Sequence, residues 1–292
     1  VDATPAVTAR PLAAAPRVDG RCALRVAHGD GGTRLAELYM RDPLRLLFPR
    51  PAAGEPMQAV MATISGGLVG GDRLAVEVAA GEGAALQLVG QAAEKVYRSL
   101  GADSEVRIDL RAAAGSLLEF LPQGTILFNG ARLRRSLALE AAADARVLAG
   151  EIVTFGRVAA GERLTRGLFN DRWTVRRAGR LVWADALALD GDIAGALAAP
   201  SGFDGARALG TVLWLGPDAG GCLELARGLL ETDAGAGAAA VRAGASLVNG
   251  VLVARFLSAD PAALRAAFGA FWRGLRAGAC GLPARLPTIW YV

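Results

Sequence analysis

Apolar and polar positions alternate with a period of two in three stretches of the chain, and each stretch turns back once at a short break. Residues 74–91 read LAVEVAAGEGAALQLVGQ, residues 106–123 VRIDLRAAAGSLLEFLPQ and residues 137–154 LALEAAADARVLAGEIVT. If Val78, Leu110 and Leu139 are equivalent, Gly83, Gly115 and Asp144 fall at one turn position. A repeat of about 30 residues predicts stacked strand–turn–strand rungs rather than one closed sandwich. The segments that follow each second strand differ: QAAEKVY at 91–97, LPQGTILF at 121–128 and GRVAAGE at 156–162. Stacking would carry all three to one edge, a composite surface and the expected seat of function.

Other runs extend the pattern. Strands are expected over 21–28, 34–39 and 58–64, with Pro43, Pro49, Pro51 and Pro56 fixing an irregular connection before the last. Beyond the rungs, 163–169, 173–177 and 181–189 read as strands, and 172–183 as a hairpin turning at Ala178-Gly179. One strand is expected over 245–257. Helical spacing appears over 221–231, and again where Asp260 caps a helix that opens on Pro261 and carries Leu264, Phe268, Phe271, Trp272 and Leu275. The predicted fold is mainly β, a stacked-rung, β-helix-like solenoid core with about two C-terminal α-helices. Residues 1–16 form an Ala/Pro/Thr arm expected to be flexible, as is the Ala/Gly stretch 233–240. Residues 17–292 then make a single domain, a β core with a helical C-terminal appendage.

Composition narrows the function classes. The chain has 292 residues, 53% of them hydrophobic, enough for a substantial core. The least charged long run, 181–199, still carries Asp185, Asp190 and Asp192, which argues against a transmembrane helix, and no signal-peptide pattern opens the chain. Cys22, Cys222 and Cys280 are too far apart for a zinc ribbon or a disulfide framework, so a reducing cytoplasm is expected. The net charge of +4 is scattered, and Arg132, Arg134 and Arg135 alternate along a strand without aromatic partners, so neither nucleic acid nor membrane is an expected partner.

Of 32 basic residues 31 are arginine, and Lys95 is the one lysine. A lysine surviving that bias marks a place where a compact, rotatable ammonium fits and a planar fork does not; the plainer reading is a solvated face. Ser65–Asp72 (SGGLVGGD) holds two Gly-Gly pairs that permit positive φ and close backbone approach, without the Gly-Lys-Ser/Thr of a phosphate loop. His28, the sole histidine, cannot form a catalytic pair or hold a transition metal alone, and reads as structural or exposed. The carboxylates near the three polar segments are Asp72, Glu94, Glu119, Glu151 and Glu162. As hard oxygen donors they suit weak, exchangeable metal contact, and salt-bridged structural roles are the alternative. Arg157 and Glu162 could simply pin their own loop. Phe128, Trp173, Trp183, Phe271 and Trp272 read as core.

In order and spacing, Gly66–Asp72, Gln91–Arg98, Leu121–Phe128 with Gly130-Ala131, and Gly156-Arg-x-x-x-Gly-Glu162 resemble the urease accessory protein family UreD, called UreH in some organisms. Looser matches at 243–246, 253–255 and 287–290 extend the resemblance over most of the chain. Two positions depart from the family pattern: Gly124 where a glutamate is usual, and Thr288 where an arginine is. The resemblance implies a largely β, stacked-rung fold and a cytoplasmic, non-enzymatic scaffold in nickel delivery. It implies binding to apo-urease and UreF, and to the GTPase UreG through UreF. No tightly bound cofactor is expected, only transient nickel, with Asp72, Glu94 and Glu162 as weak ligands. Asp72, Gln91, Glu94, Lys95, Tyr97, Gln123, Arg157 and Glu162 are the expected partner-binding or conduit residues. The rival reading is a small-molecule enzyme built on Lys95, Asp72 and Glu162.

Overall fold

The computed structural model describes residues 18–233 and 241–291. The expected arm and residues 234–240 of the expected Ala/Gly loop lie outside the described residues. Three rungs stack as the alternation predicts. Their first strands, β5 (Arg73–Ala80), β8 (Ser104–Ala112) and β11 (Arg132–Ala141), are parallel neighbours, with Val78 opposite Leu110 and Leu110 opposite Leu139. Their second strands, β6 (Ala85–Gly90), β9 (Leu117–Leu121) and β12 (Arg146–Phe155), pair in parallel with Leu86, Leu118 and Val147 in line. One sequence offset therefore holds on both faces, and Gly83, Gly115 and Asp144 occupy the same turn of successive rungs. Gly83 and Gly115 both adopt positive φ (65° and 62°), and a Cβ on Gly115 would lie 3.9 Å from the Gly83 nitrogen. Such φ values are strained for most side chains.

The rungs sit in the middle of a solenoid of about four turns with two broad faces. One face is a seven-stranded sheet that adds β1 (Asp19–Gly29) and β2 (Gly32–Arg41) at one end, and β13 (Arg166–Arg177) and β14 (Arg180–Asp192) at the other. The other face begins with β3 (Leu44–Leu47) and β4 (Met57–Thr63) and ends with β15 (Ala208–Leu215), β17 (Val251–Ser258) and β16 (Val241–Val248). Strands of the first face bury alternate residues: in β11, Leu133, Arg135, Leu137, Leu139 and Ala141 point inward. The central strands of the second are buried on both sides and are mostly apolar, as in β9 and most of β12, where Glu119 and Glu151 are the buried acidic exceptions. Their outer side is covered by α3 (Pro261–Cys280), which opens on the Asp260 carboxylate accepting from Ala262 N and ends at Gly281 with φ 66°. Phe268, Phe271, Trp272 and Leu275 make a second apolar core with Trp214, Phe256 and Leu148.

Several expectations are corrected. The strand expected over 245–257 is a hairpin, β16 and β17 folding back at Asn249-Gly250, both with positive φ. Arg163–Thr165 lie outside any strand, and 166–177 is one strand rather than two. The connection through Pro43 contains β3. A strand (β15) and a short helix, α1 (Ile193–Ala198), were not expected, whereas α2 (Cys222–Asp233) was. Among the described residues no helix is long and apolar enough to cross a membrane.

Candidate functional site

The polar segments after the rungs are not plain loops. Two contain three-residue strands, β7 (Glu94–Val96) and β10 (Thr125–Leu127), which pair in parallel with each other, β10 also pairing in parallel with the end of β12. Leu68 of the glycine-rich segment bridges to Val96 and donates its amide to Lys95 O at 2.7 Å. Leu68, Val96, Leu127 and Phe155 thus lie side by side on a narrow third face, so this edge gathers the segments that the repeat assigned to it. Gly67 is needed there: its φ is 135°, and a Cβ would stand 2.6 Å from both Lys95 O and the Tyr97 ring.

Behind this ladder, between the broad sheets, lies a cavity of about 250 Å³. Most of its wall is apolar, including Leu74, Val76, Ile108, Phe120 and Leu137. Its polar groups sit in two places. At the ladder, Glu94 accepts from the Thr63 hydroxyl at 2.6 Å, with Gln91, Lys95 and Thr125 nearby in the same lining. Burial raises the Glu94 carboxyl above its ordinary value, partly offset by Thr63 and by the amide and ammonium of Lys95. On the inner side, Arg135 lies buried between two carboxylates. It contacts Glu151, and it donates to Asp171 through Nε and Nη2, both at 2.8 Å, and to the Thr125 hydroxyl at 3.2 Å. One guanidinium cannot compensate two buried carboxylates. Burial, reinforced by Asp171, pushes Glu151 well above the carboxylate range against the pull of Arg135. Asp171 is buried too, but Arg135 holds it below its usual value, so the two carboxylates around the one guanidinium shift in opposite directions.

The other expected residues are placed as follows. Asp72 is 2% exposed and spends both oxygens on backbone amides, Val18 N at 3.0 Å and Val69 N at 2.9 Å. Tyr97 donates to Gly66 O at 3.0 Å and packs edge-on against Phe128. Phe128 is half-buried rather than core, because Arg157 stacks over its outer side at 4.6 Å. Arg157 also binds Glu162 at 3.0 Å and pins the 156–162 loop. Gln123 clamps the C-terminal segment, donating to Ile289 O at 2.7 Å and accepting from Arg265 through its side-chain oxygen. Gln91 and Lys95 are exposed, and among the described residues the Lys95 ammonium makes no hydrogen bond or ion pair. His28 is exposed at the end of β1, and the three cysteines are buried and free. The structure does not gather Asp72, Glu94 and Glu162: among the described residues no three His, Cys, Asp or Glu side chains form a metal-holding group. The rival set of Lys95, Asp72 and Glu162 likewise finds two of its members engaged elsewhere.

The inward-facing Arg135 and its partner Asp171 went unnoticed in the sequence. Arg135 adjoins Arg132 and Arg134 in sequence, yet its place between Leu133 and Leu137 on a period-two strand puts it on the apolar side.

Fold and site together define a β-solenoid whose motif segments stack over a cavity with Glu94 and Lys95 at its mouth. The UreD urease accessory protein family matches residues 18–291. A urease accessory protein UreD of Magnetococcus marinus is 46% identical over 273 residues, covering 94% of each chain. UreD 3 of a Bradyrhizobium strain is 43% identical over 288 residues and 99% of each chain, and a Methylobacterium UreD is 45% identical over 275 residues. The chain belongs to the UreD family of urease accessory proteins and has a role in urease maturation.

Proposed function

We propose that the chain is a cytoplasmic scaffold that helps deliver nickel into apo-urease, holding urease together with UreF and, through UreF, the GTPase UreG. The observation that carries this reading is the third face, where the family-like segments 66–72, 91–98 and 121–128 are hydrogen-bonded side by side at the mouth of one cavity. Nickel is cargo here, and a route for cargo needs oxygen ligands that let go. Glu94 meets that need: it lines the cavity and is held by the neutral Thr63 hydroxyl rather than by an ion pair. Asp72 and Glu162 hold backbone and loop in place instead. The buried Arg135–Glu151–Asp171 group sets the polarity of the inner wall.

The test is reconstitution. Purified apo-urease, nickel, bicarbonate, UreF and UreG with GTP are combined with and without the chain, and urea hydrolysis is followed. Activation that depends on the chain, together with no turnover by the chain alone, supports the reading. Equal activation without it would refute the reading.

A further inference from the structure

A second surface lies beside the motif edge. Leu100 is 99% exposed, the most exposed of the large apolar side chains. Its loop is nevertheless well held: Ser99 N donates to Gly130 O at 3.0 Å, the Ser99 hydroxyl to Ala102 O at 2.5 Å, and Gly101 N to the Ser99 hydroxyl at 3.0 Å. Next to it is an open depression of about 430 Å³ lined by Arg98, Arg132, Arg166 and Asp190 over a floor of glycines. The floor is tied down as well, since Arg98 bridges to Ala131, Gly130 N donates to Arg166 O at 2.9 Å, and Asn129 accepts from Arg166 N at 3.3 Å. Nothing lies within 4 Å of a Cβ placed on Gly101 or Gly191, so the surface is open there, whereas Gly130 and Gly167 pack closely against Arg98 and Ala131 and form the solid part of the floor.

The charges do not balance. Arg132 and Arg134 share the single carboxylate of Asp103, at 2.6 Å each. Arg98 and Arg166 are exposed and, among the described residues, form no ion pair, with Asp190 the acidic group in the lining. A rigidly displayed leucine costs solvation in the free protein and adds nothing to its core. Beside surplus guanidiniums it has the composition of an interface anchor with a charged rim.

We propose that this depression docks an acidic segment of apo-urease, with carboxylates on Arg98 and Arg166 and an apolar pocket receiving Leu100. The proposal rests on the delivery reading above, and urease is chosen because it is the protein that the relatives' shared name says they serve. Charge complementarity gives the segment its sign, and Leu100 gives it a hydrophobic seat.

The test uses the full chain immobilised on a biosensor, with purified apo-urease as probe and UreF as a second probe. Leu100→Ser and the double variant Arg98→Glu/Arg166→Glu are each expected to weaken apo-urease binding by about tenfold or more while leaving UreF binding unchanged. Wild-type binding to apo-urease should also fall as salt rises from about 50 to about 300 mM. Arg98→Gln/Arg166→Gln, which keeps polar side chains, serves if the charge reversal unfolds, and should give a smaller loss in the same direction. Wild-type binding that all the variants retain overturns this surface and leaves the delivery reading standing. A loss confined to UreF overturns the choice of urease. A wild-type chain that binds no apo-urease overturns both.

Discussion

Arg276 and Glu119 meet through two hydrogen bonds, Nε to Oε1 at 2.8 Å and Nη2 to Oε2 at 3.0 Å, with both side chains fully buried. They join α3 to β9 across 157 residues of sequence. Gln87 and Trp272 also donate to Glu119, and Arg276 reaches outward to Glu55, which binds Arg285 at 2.6 Å. Burial alone would lower the Arg276 pKa, but the hydrogen bonds it donates to Glu119 and Glu55 raise it. Removing one member leaves an uncompensated buried charge, which costs about 3–5 kcal/mol. Arg276→Met should therefore lower the unfolding free energy by roughly that amount in urea titration. A loss under about 1 kcal/mol would show that the pair is not holding helix to sheet.

Glu55 supplies a pH signature. Its carboxyl is desolvated, but hydrogen bonds from Arg276 and Arg285 prevail and hold it below its ordinary value of 4.5. With the folded pKa depressed, the unfolded state binds more protons as pH falls. The contribution is present above the unfolded value and is lost on acidification through the folded one. Unfolding free energies measured from neutral pH down to about pH 3 should fall less steeply in Glu55→Gln than in the wild type. Parallel curves would remove Glu55 as a contributor.

Lys95 presents an unpaired ammonium beside Glu94 at the cavity mouth. Lys95→Arg keeps the charge at an exposed position, so thermal stability should be unchanged. The planar fork is bulkier and places its donors differently, so urease activation should drop several-fold. Full activation by this variant would return Lys95 to a merely solvated role.

How far the sequence could be read depended on which interactions made the element. The rungs were legible because strand period, turn residue and offset repeat together, and the register of Val78, Leu110 and Leu139 is what alignment of the repeats requires. The strands β7 and β10 were not, since three residues carry no period and their pairing comes from neighbouring rungs. The Asn249-Gly250 turn was overlooked although that dipeptide is a strong hairpin signal. Arg276 resembles a surface residue until its spacing is counted: Phe268, Trp272 and Arg276 recur every four residues along the buried stripe of α3. In the site, the repeat carries the segments to one edge, but nothing in their spacing shows how their side chains divide the work. Asp72 and Gln123 hold the scaffold together, whereas Arg135, unremarked as an interior group, faces the cavity.

On the proposed delivery reading, nickel reaches urease along the cavity behind the third face, past Glu94. The most direct measurement is the nickel content of urease, by elemental analysis after reconstitution with UreF, UreG and either the wild-type chain or Glu94→Gln. The substitution removes the charge but keeps a side-chain oxygen for Thr63. Nickel loading by Glu94→Gln is expected to fall by about tenfold or more at neutral pH, with urease binding and the unfolding midpoint of the chain unchanged. Loading equal to that of the wild type would contradict this route.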